Sequence, residues 1–525
     1  MREFLTLLGP NRGIFALLTI CMALVTGAEA ALHPLLMKAI FDAVSAQKDF
    51  SDFVMLGGYY LALGLGANLF NYLLSLWRIK IDNSISASVT RTMLEAFYAK
   101  SYNEVIKEGD GYYVARIRSD VKDGLMPMLS ATRSLIISIV TFIVLISVLI
   151  YISLQAFLIL CIIIPLSTII TIIVGKKIRQ LTNTERDTEA ALVDVLTRSL
   201  GAFKMVRGFS LQAKTLKTFS LTMDHALESN YKKSKVVRGL QTVGDLTMVV
   251  SDVCSIFVGG FLVIKNQLTL GSFIAFMNAF WRAATTLIGL FNIWAEMHGY
   301  VAIVQRIAKF IEPDGEGPNY KVHSAVEARN LGFAYTTEPV VSGVDLEIPR
   351  DAKLLILGEN GSGKTTLANI LSGVLRQTNG ALSLPERISS MTLPIRFPPT
   401  TVDGLPIERQ LLGELGLGGS HIGFARPDEL SAGQQQKIAL AMTLSKSADL
   451  YILDEPLANL DSHSSRIAMQ MIVERTRGKM LVVIMHNADE YKRLFDKVVT
   501  LTNKEGPTGM VDPNLFYASS SAALA

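Results

Sequence analysis

Gly358-Glu359-Asn360-Gly361-Ser362-Gly363-Lys364-Thr365-Thr366 carries the spacing GxxxxGK[ST]. It follows the apolar run Leu354-Leu355-Ile356-Leu357, which reads as a buried strand, and precedes a helical stretch at 367–374. Glycines let such a loop wrap tightly, so its backbone N–H groups and the helix N-terminus point at phosphate oxygens. Lys364 is then expected to reach the β- and γ-phosphates of a nucleotide, and the Thr365 hydroxyl to ligate Mg²⁺. The bland alternative is a Gly-rich turn that merely starts a helix. A second element argues against it. Leu450-Tyr451-Ile452-Leu453-Asp454-Glu455 is an apolar strand ending in paired carboxylates, which delivers Asp454 to the metal and Glu455 to a water in line with the γ-phosphate. Phosphoryl transfer needs a backbone cradle, a lysine, a metal ligand and a residue that positions the nucleophile.

The third element is Leu430-Ser431-Ala432-Gly433-Gln434-Gln435-Gln436-Lys437, which opens a helix just before the acidic strand. It resembles the LSGGQ signature of ATP-binding cassette (ABC) proteins, with Ala432 in a glycine place. Alanine costs little there unless the backbone is left-handed. His486, after the apolar run 480–485, stands where that family has its switch histidine. Ala458-Asn459-Leu460-Asp461 matches its D-loop, and Tyr335 in Leu331-Gly332-Phe333-Ala334-Tyr335 matches the aromatic that stacks on adenine. The resemblance implies a dimer with two ATP molecules, each held between the phosphate loop of one cassette and the signature of the other. It implies that Ser431, Gly433 and Gln434 meet the γ-phosphate across that dimer, that His486 contacts the same phosphate, and that Asp461 couples the sites. Two departures stand out. Thr392 or Leu393 falls where most members have a Gln near magnesium, and Gln410 comes too late to replace it. The helical insert before the signature, 405–429, is short.

The elements that position these residues occupy the second half of the chain. Short apolar strands alternate with helical patterns beyond 322, as in an α/β domain with a mostly parallel sheet. The first half is of another kind. Of 525 residues, 50% are apolar and only 18% charged, and the mean hydropathy of +0.36 argues against disorder and against a wholly soluble enzyme. A net charge of +4 does not imply nucleic-acid binding. Six runs, at 13–40, 53–77, 131–152, 155–175, 242–264 and 270–295, meet the length of about 20 apolar residues that a crossing helix needs. The first is too long for a cleaved signal peptide, and no peptidase-like extension precedes it. Lys and Arg crowd the segments between runs two and three and between runs four and five, against Lys48 and Lys265 on the other side. That bias puts both long segments and the second half in the cytoplasm. Their helical spacing at 81–102 and 184–200 makes them helix extensions with turns near Glu108-Gly109-Asp110-Gly111 and 201–208, tips that can dock on a cytoplasmic domain. The three cysteines, Cys21, Cys161 and Cys254, lie far apart in apolar runs and form neither a disulfide frame nor a metal site.

The expected organisation is therefore an all-α six-helix membrane domain at 1–311, a Pro/Gly/acid linker at 312–322, an α/β ABC ATPase domain at 323–515 and a disordered tail at 516–525. The chain resembles an ABC exporter-type half-transporter over nearly its whole length. The resemblance implies an ATP hydrolase with ATP and Mg²⁺ as cofactors, driving export of a peptide, drug-like molecule or lipid by alternating access. A siderophore-type importer on the same fold and a membrane-bound regulatory ATPase that moves no cargo remain open. A homodimer is expected, with a heterodimer as the alternative, in the lipid bilayer of a bacterial inner membrane and without nucleic acid. Polar residues inside spans are costly and face a cavity or another helix. Glu29, His33, Asn68, Asn71, Asp245, Asp252 and Arg282 are such residues. Asp245 and Asp252 share a helix face, either as an acidic lining for cationic or amphipathic cargo or as partners of Arg282.

Overall fold

The computed structural model describes residues 2–46, 50–108, 110–160, 164–312, 320–335, 338–486, 490–503 and 509–511. Gly109, Cys161, most of the expected linker and the expected tail lie outside them. The chain divides into two compact units, residues 1–94 with 115–311, and residues 95–114 with 312–525.

The first unit is helical. Its long helices are α1 (Arg12–Ser45), α2 (Phe50–Ala99), α3 (Met126–Ile152), α4 (Ile164–Gly201), α5 (Gln212–Ile264) and α6 (Leu270–Ile311). Among the described residues, the segments Arg2–Ser45, Phe50–Ala99, Tyr112–Ile152 and Leu270–Ile311 are long and apolar enough to cross a membrane. The expected fourth span straddles 161–163, outside the described residues. The expected fifth lies within α5, where the described apolar stretch is the shorter Asp252–Ile264. The expected cytoplasmic extensions of helices 2, 4 and 5 are continuous helix, because nothing in 78–99, 176–200 or 212–241 breaks the pattern.

Packing in this unit uses small residues. Ala30 of α1, Leu145 and Leu149 of α3, and Phe276, Ala279, Phe280 and Ala283 of α6 form one buried cluster, with Leu262 of α5. A Cβ on Gly27 would touch Val140 and Val144 at 3.4 and 3.7 Å, so α1 and α3 approach closely. Lipid tails are as apolar as leucine, and close backbone packing is what holds such helices together. Toward the cytoplasmic extensions, charges do the pairing. Asp82 accepts two hydrogen bonds from Arg133 at 2.7 and 3.0 Å, and Arg133 lies 4.8 Å over the Phe15 ring. Asp120 receives Arg306 of α6 and Arg116. Between α4 and α5, Asn230 donates to Glu185 at 2.8 Å beside Lys233.

The second unit has two sheets. A four-stranded sheet has the order β1-β5-β2-β3, from β1 (Lys321–Val322), β2 (Val326–Ala334), β3 (Pro339–Ile348) and β5 (Asn379–Leu384). A six-stranded sheet has the order β10-β9-β4-β8-β7-β6, from β4 (Lys353–Gly358), β6 (Ile388–Met391), β7 (Leu450–Asp454), β8 (Met480–Ile484), β9 (Lys497–Asn503) and β10 (Gly509–Val511). It is parallel except for β10. Strands β7 and β8 are buried along their whole length, as covered parallel strands must be. Alternate side chains of β4 serve two cores. Leu354 and Ile356 face the four-stranded sheet and α7 (Lys364–Leu371), and Leu355 faces α8 (Ala432–Ser445) and α9 (Ser462–Arg475). The insert expected at 405–429 contains the short helices Arg409–Glu414 and Ser420–Phe424 and a single 3-10 turn, Pro427–Glu429.

Candidate nucleotide site

The phosphate loop connects β4 to α7. Gly358, Gly361 and Gly363 have φ of 156°, 85° and 87°, values that side chains rarely adopt. A Cβ on Gly358 would meet Leu501 O at 2.5 Å, and one on Gly363 would meet Val340 O at 3.0 Å. Without side chains at these glycines the loop backbone can approach an anion closely. Lys364 is buried and its Nζ donates to Gly358 O at 2.8 Å and Glu359 O at 2.6 Å, which curls the ammonium over the loop. Tyr335 stands 38% exposed at the end of β2, edge-on to Phe333 at 4.8 Å. Its hydroxyl lies 3.3 Å from Thr366 Oγ1, so the ring flanks the start of α7.

Parallel pairing of β4, β8 and β7 brings their C-terminal ends to the same edge, where ligands of open α/β sheets bind. Asp454 ends β7 at 1% exposure, and its Oδ2 has no hydrogen-bond partner among the described residues. Burial pushes its carboxyl above the usual range. The Thr365 hydroxyl bonded to it opposes that shift, the Glu455 charge adds to it, and Lys364 opposes it. An unsatisfied carboxylate oxygen beside a hydroxyl fits a small hard cation completed by phosphate oxygens. Glu455 follows at φ +48°. His486 comes directly after β8 and Met485, with Nε2 4.0 Å from Glu455 Oε1 and against Asn360 Oδ1 of the phosphate loop. The loop, Asp454, Glu455 and His486 therefore share one face.

The signature residues make other contacts. Ser431 caps α8 in a reciprocal box, its hydroxyl accepting from Gln434 N at 3.4 Å and its own N–H donating to Gln434 Oε1 at 3.0 Å. Ser431 and Ala432 are exposed, and Ala432 starts the helix in right-handed conformation, which is why alanine is tolerated there. Asp461 caps α9 by accepting from His463 N at 3.0 Å and Ser464 N at 2.9 Å, and these bonds, Ser464 first, lower its carboxyl to about 2. Continuing the β6–β7 register past Met391↔Leu453 sets Thr392 beside Asp454, with Leu393 next where the Gln was expected. Gln410 instead donates to Glu414 at 2.9 Å on its own short helix. A residue that sequence reasoning left without a role is Gln436, whose Nε2 donates to Glu455 O at 2.7 Å. Its place in a run of three glutamines gave no sign of which one turns inward.

In the membrane unit, Arg282 pairs with Glu29 at 3.9 Å, not with Asp245 or Asp252. Pairing with Arg282 is one of the two readings of the aspartates, and among the described residues α1, which packs on α6, supplies that carboxylate instead. Tyr60 and His33 share a 2.5 Å contact between OH and Nε2. A groove of about 430 Å³ between α1 and α2 is lined by Val25, Glu29, Leu63, Gly66 and Phe70 among others. Neither aspartate lines it, and Asn68 turns back to Gly64 O at 2.8 Å.

These features define a membrane-spanning P-loop ATPase. Family models match in two parts, the ABC transporter transmembrane region over residues 16–283 and the ABC transporter cassette over 341–417 and 401–458. The chain belongs to the ABC transporter family and is a half-transporter of exporter type, an ATP-hydrolysing translocase. It is 23% identical to the ATP-dependent lipid A-core flippase of Syntrophus aciditrophicus, covering 96% of this chain and 90% of that protein. It is 33% identical over 199 residues to an aliphatic sulfonates import ATP-binding protein of Paracoccus denitrificans, covering 34% of this chain and 80% of that one. In fold it is similar to a bacterial Atm1-family ABC exporter with ATP bound, at a TM-score of 0.77 and 13% identity, with 93% of each chain covered.

Proposed function

We propose that two copies of this chain form an ATP-driven exporter in a bacterial inner membrane, with the ATPase unit in the cytoplasm and an amphipathic cargo. The observation that carries the catalytic reading is the convergence of the Lys364 loop, Asp454, Glu455 and His486 at one sheet edge. Tyr335 stacks on the adenine, and residues 358–366 wrap the phosphates. Thr365 and Asp454 would hold Mg²⁺, which would supply positive charge against the phosphates of ATP. Glu455 takes the proton of the attacking water, and His486 holds the γ-phosphate end of the site. Ser431, Gly433 and Gln434 serve the ATP of the second copy, which fits the exposure of Ser431 at the head of α8. Asp461, which caps α9 after β7, lies at the seam between copies.

The apolar window of α2 is 0% buried within the chain, leaving a surface for the bilayer and a second copy to cover. An amphipathic cargo suits a groove that is apolar apart from Glu29. The lipid A-core flippase relatives favour a lipid-like molecule over a peptide. The test is Glu455→Gln in the full-length protein, with hydrolysis expected to fall by about 10²–10⁴-fold while ATP stays bound. Undiminished hydrolysis would sink the assignment. Accumulation of a lipid-like cargo in inside-out vesicles, dependent on ATP, then measures direction; steady hydrolysis with no cargo accumulated would contradict export.

A further inference from the structure

Gln436 lies just over a turn into α8 and is 2% exposed. Its Nε2 donates to the carbonyl oxygen of Glu455 at 2.7 Å, which also accepts from Ala458 N at 3.1 Å. Glu455 N donates to Ile484 O at 2.8 Å. At φ +48°, Glu455 occupies a left-handed conformation that a side-chain-bearing residue keeps only where its surroundings hold it. Gln436 supplies the side-chain donor of that hold.

The same helix meets the same segment a second time. A Cβ on Gly433 would lie 2.7 Å from Asn459 O, so the first turn of α8 sits flush on the backbone that leads from β7 to α9. Asn459 is itself left-handed, at φ +61°. The stretch from Glu455 to Asn459 is thus held at both ends by α8. At its head α8 exposes Ser431, roughly 7–8 Å of helix from Gln436. A helix is stiff along its axis, so a shift of Ser431 is carried to Gln436.

We propose that Gln436 is a positioning residue that links two ATP sites, setting the backbone of Glu455 according to what Ser431 has engaged. The inference rests on the dimeric reading above, in which Ser431 meets the ATP of the second copy and Glu455 serves the ATP of its own chain. An unengaged signature leaves the carboxylate misaimed, and an engaged one draws α8 and Glu455 into register. Hydrolysis at one site then depends on occupancy of the other.

The experiment titrates ATP in steady-state hydrolysis by full-length wild type, Gln436→Met and Glu455→Gln in phosphatidylethanolamine–phosphatidylglycerol vesicles. Methionine preserves length and volume but cannot donate. The expected result is a kcat about ten- to a hundredfold lower, short of the full general-base contribution. KM for ATP stays within about twofold, and a Hill coefficient above one in the wild type falls toward one. Wild-type kcat and Hill coefficient in Gln436→Met, beside an inactive Glu455→Gln, overturn the link. A kcat loss with equal loss of ATP affinity and an unchanged Hill coefficient also overturns it, because that pattern marks a purely structural role. So does a wild-type Hill coefficient of one. Full hydrolysis by Glu455→Gln instead removes the carboxylate reading beneath the proposal, so the two failures are distinguishable. Gln436→Ala gives the same readouts if the methionine variant does not fold.

Discussion

At the residue scale, the site holds its machinery at a cost to the fold. Asp454 is buried with an oxygen lacking a protein partner, and burial raises its carboxyl above 3.8. A carboxyl raised by folding binds protons more readily in the folded state than in the unfolded one. Stability therefore falls as pH rises from 3.8 through the raised value. Asp454→Asn removes the charge. In nucleotide-free protein with magnesium chelated, its melting midpoint is expected to exceed wild type by a few degrees, at roughly 2–4 °C per kcal/mol. The advantage closes below pH 3.8, and Mg²⁺-dependent hydrolysis is lost at all pH values. A midpoint at or below wild type at pH 7 would contradict this account. The candidate residues Lys364, Thr365, Asp454, Glu455 and His486 are legible in the sequence, because they sit in local strand–loop contexts. Gln436 was not, since its partner is a backbone atom 19 residues away.

At the element scale, the short helix Tyr102–Glu108 belongs with the ATPase unit. Asn103 uses both ends of its amide on one residue: Nδ2 donates to Arg376 O at 2.9 Å and Oδ1 accepts from Arg376 N at 3.0 Å. Arg376 follows α7, so the pair ties this helix to the element that begins at the phosphate loop. Tyr113 packs on Phe97 at 4.9 Å and donates to Glu104 O at 3.2 Å, closing the tip on itself. Asn103→Ala removes two hydrogen bonds of about 1 kcal/mol each. Cargo-stimulated hydrolysis is expected to drop several-fold while basal hydrolysis holds. Equal stimulation in the variant and the wild type would remove Asn103 from the coupling path. Hydrophobic spacing predicted a helix over 81–102, which the structure carries as far as Ala99, but it carried no information on where the tip docks.

At the scale of the whole molecule, one chain carries a phosphate loop and a signature whose described contacts do not meet. If two copies complete each site, Lys364→Ala and Ser431→Ala disable different halves. Either variant alone is expected to occlude no ATP. Mixed dimers, built in a Glu455→Gln background, regain one intact site and retain about one ATP per dimer, read by bound radiolabelled nucleotide. Failure of the mixture to retain more than either variant alone would argue that each chain works by itself. The long apolar face of α2 belongs to the same question, since bilayer and second copy both cover such a surface.

The amino-acid sequence by itself determined the helical membrane part followed by an ATPase part, the strands and loops of the ATPase and the candidate side chains of its site. These rest on local patterns: apolar run length, glycine spacing and strand ends. Tertiary structure alone decided that Arg282 pairs with Glu29, that residues 95–114 join the ATPase unit, and that Gln436 holds Glu455. Each of those outcomes depends on which helices pack together, and packing between segments far apart in sequence leaves no periodicity in either one.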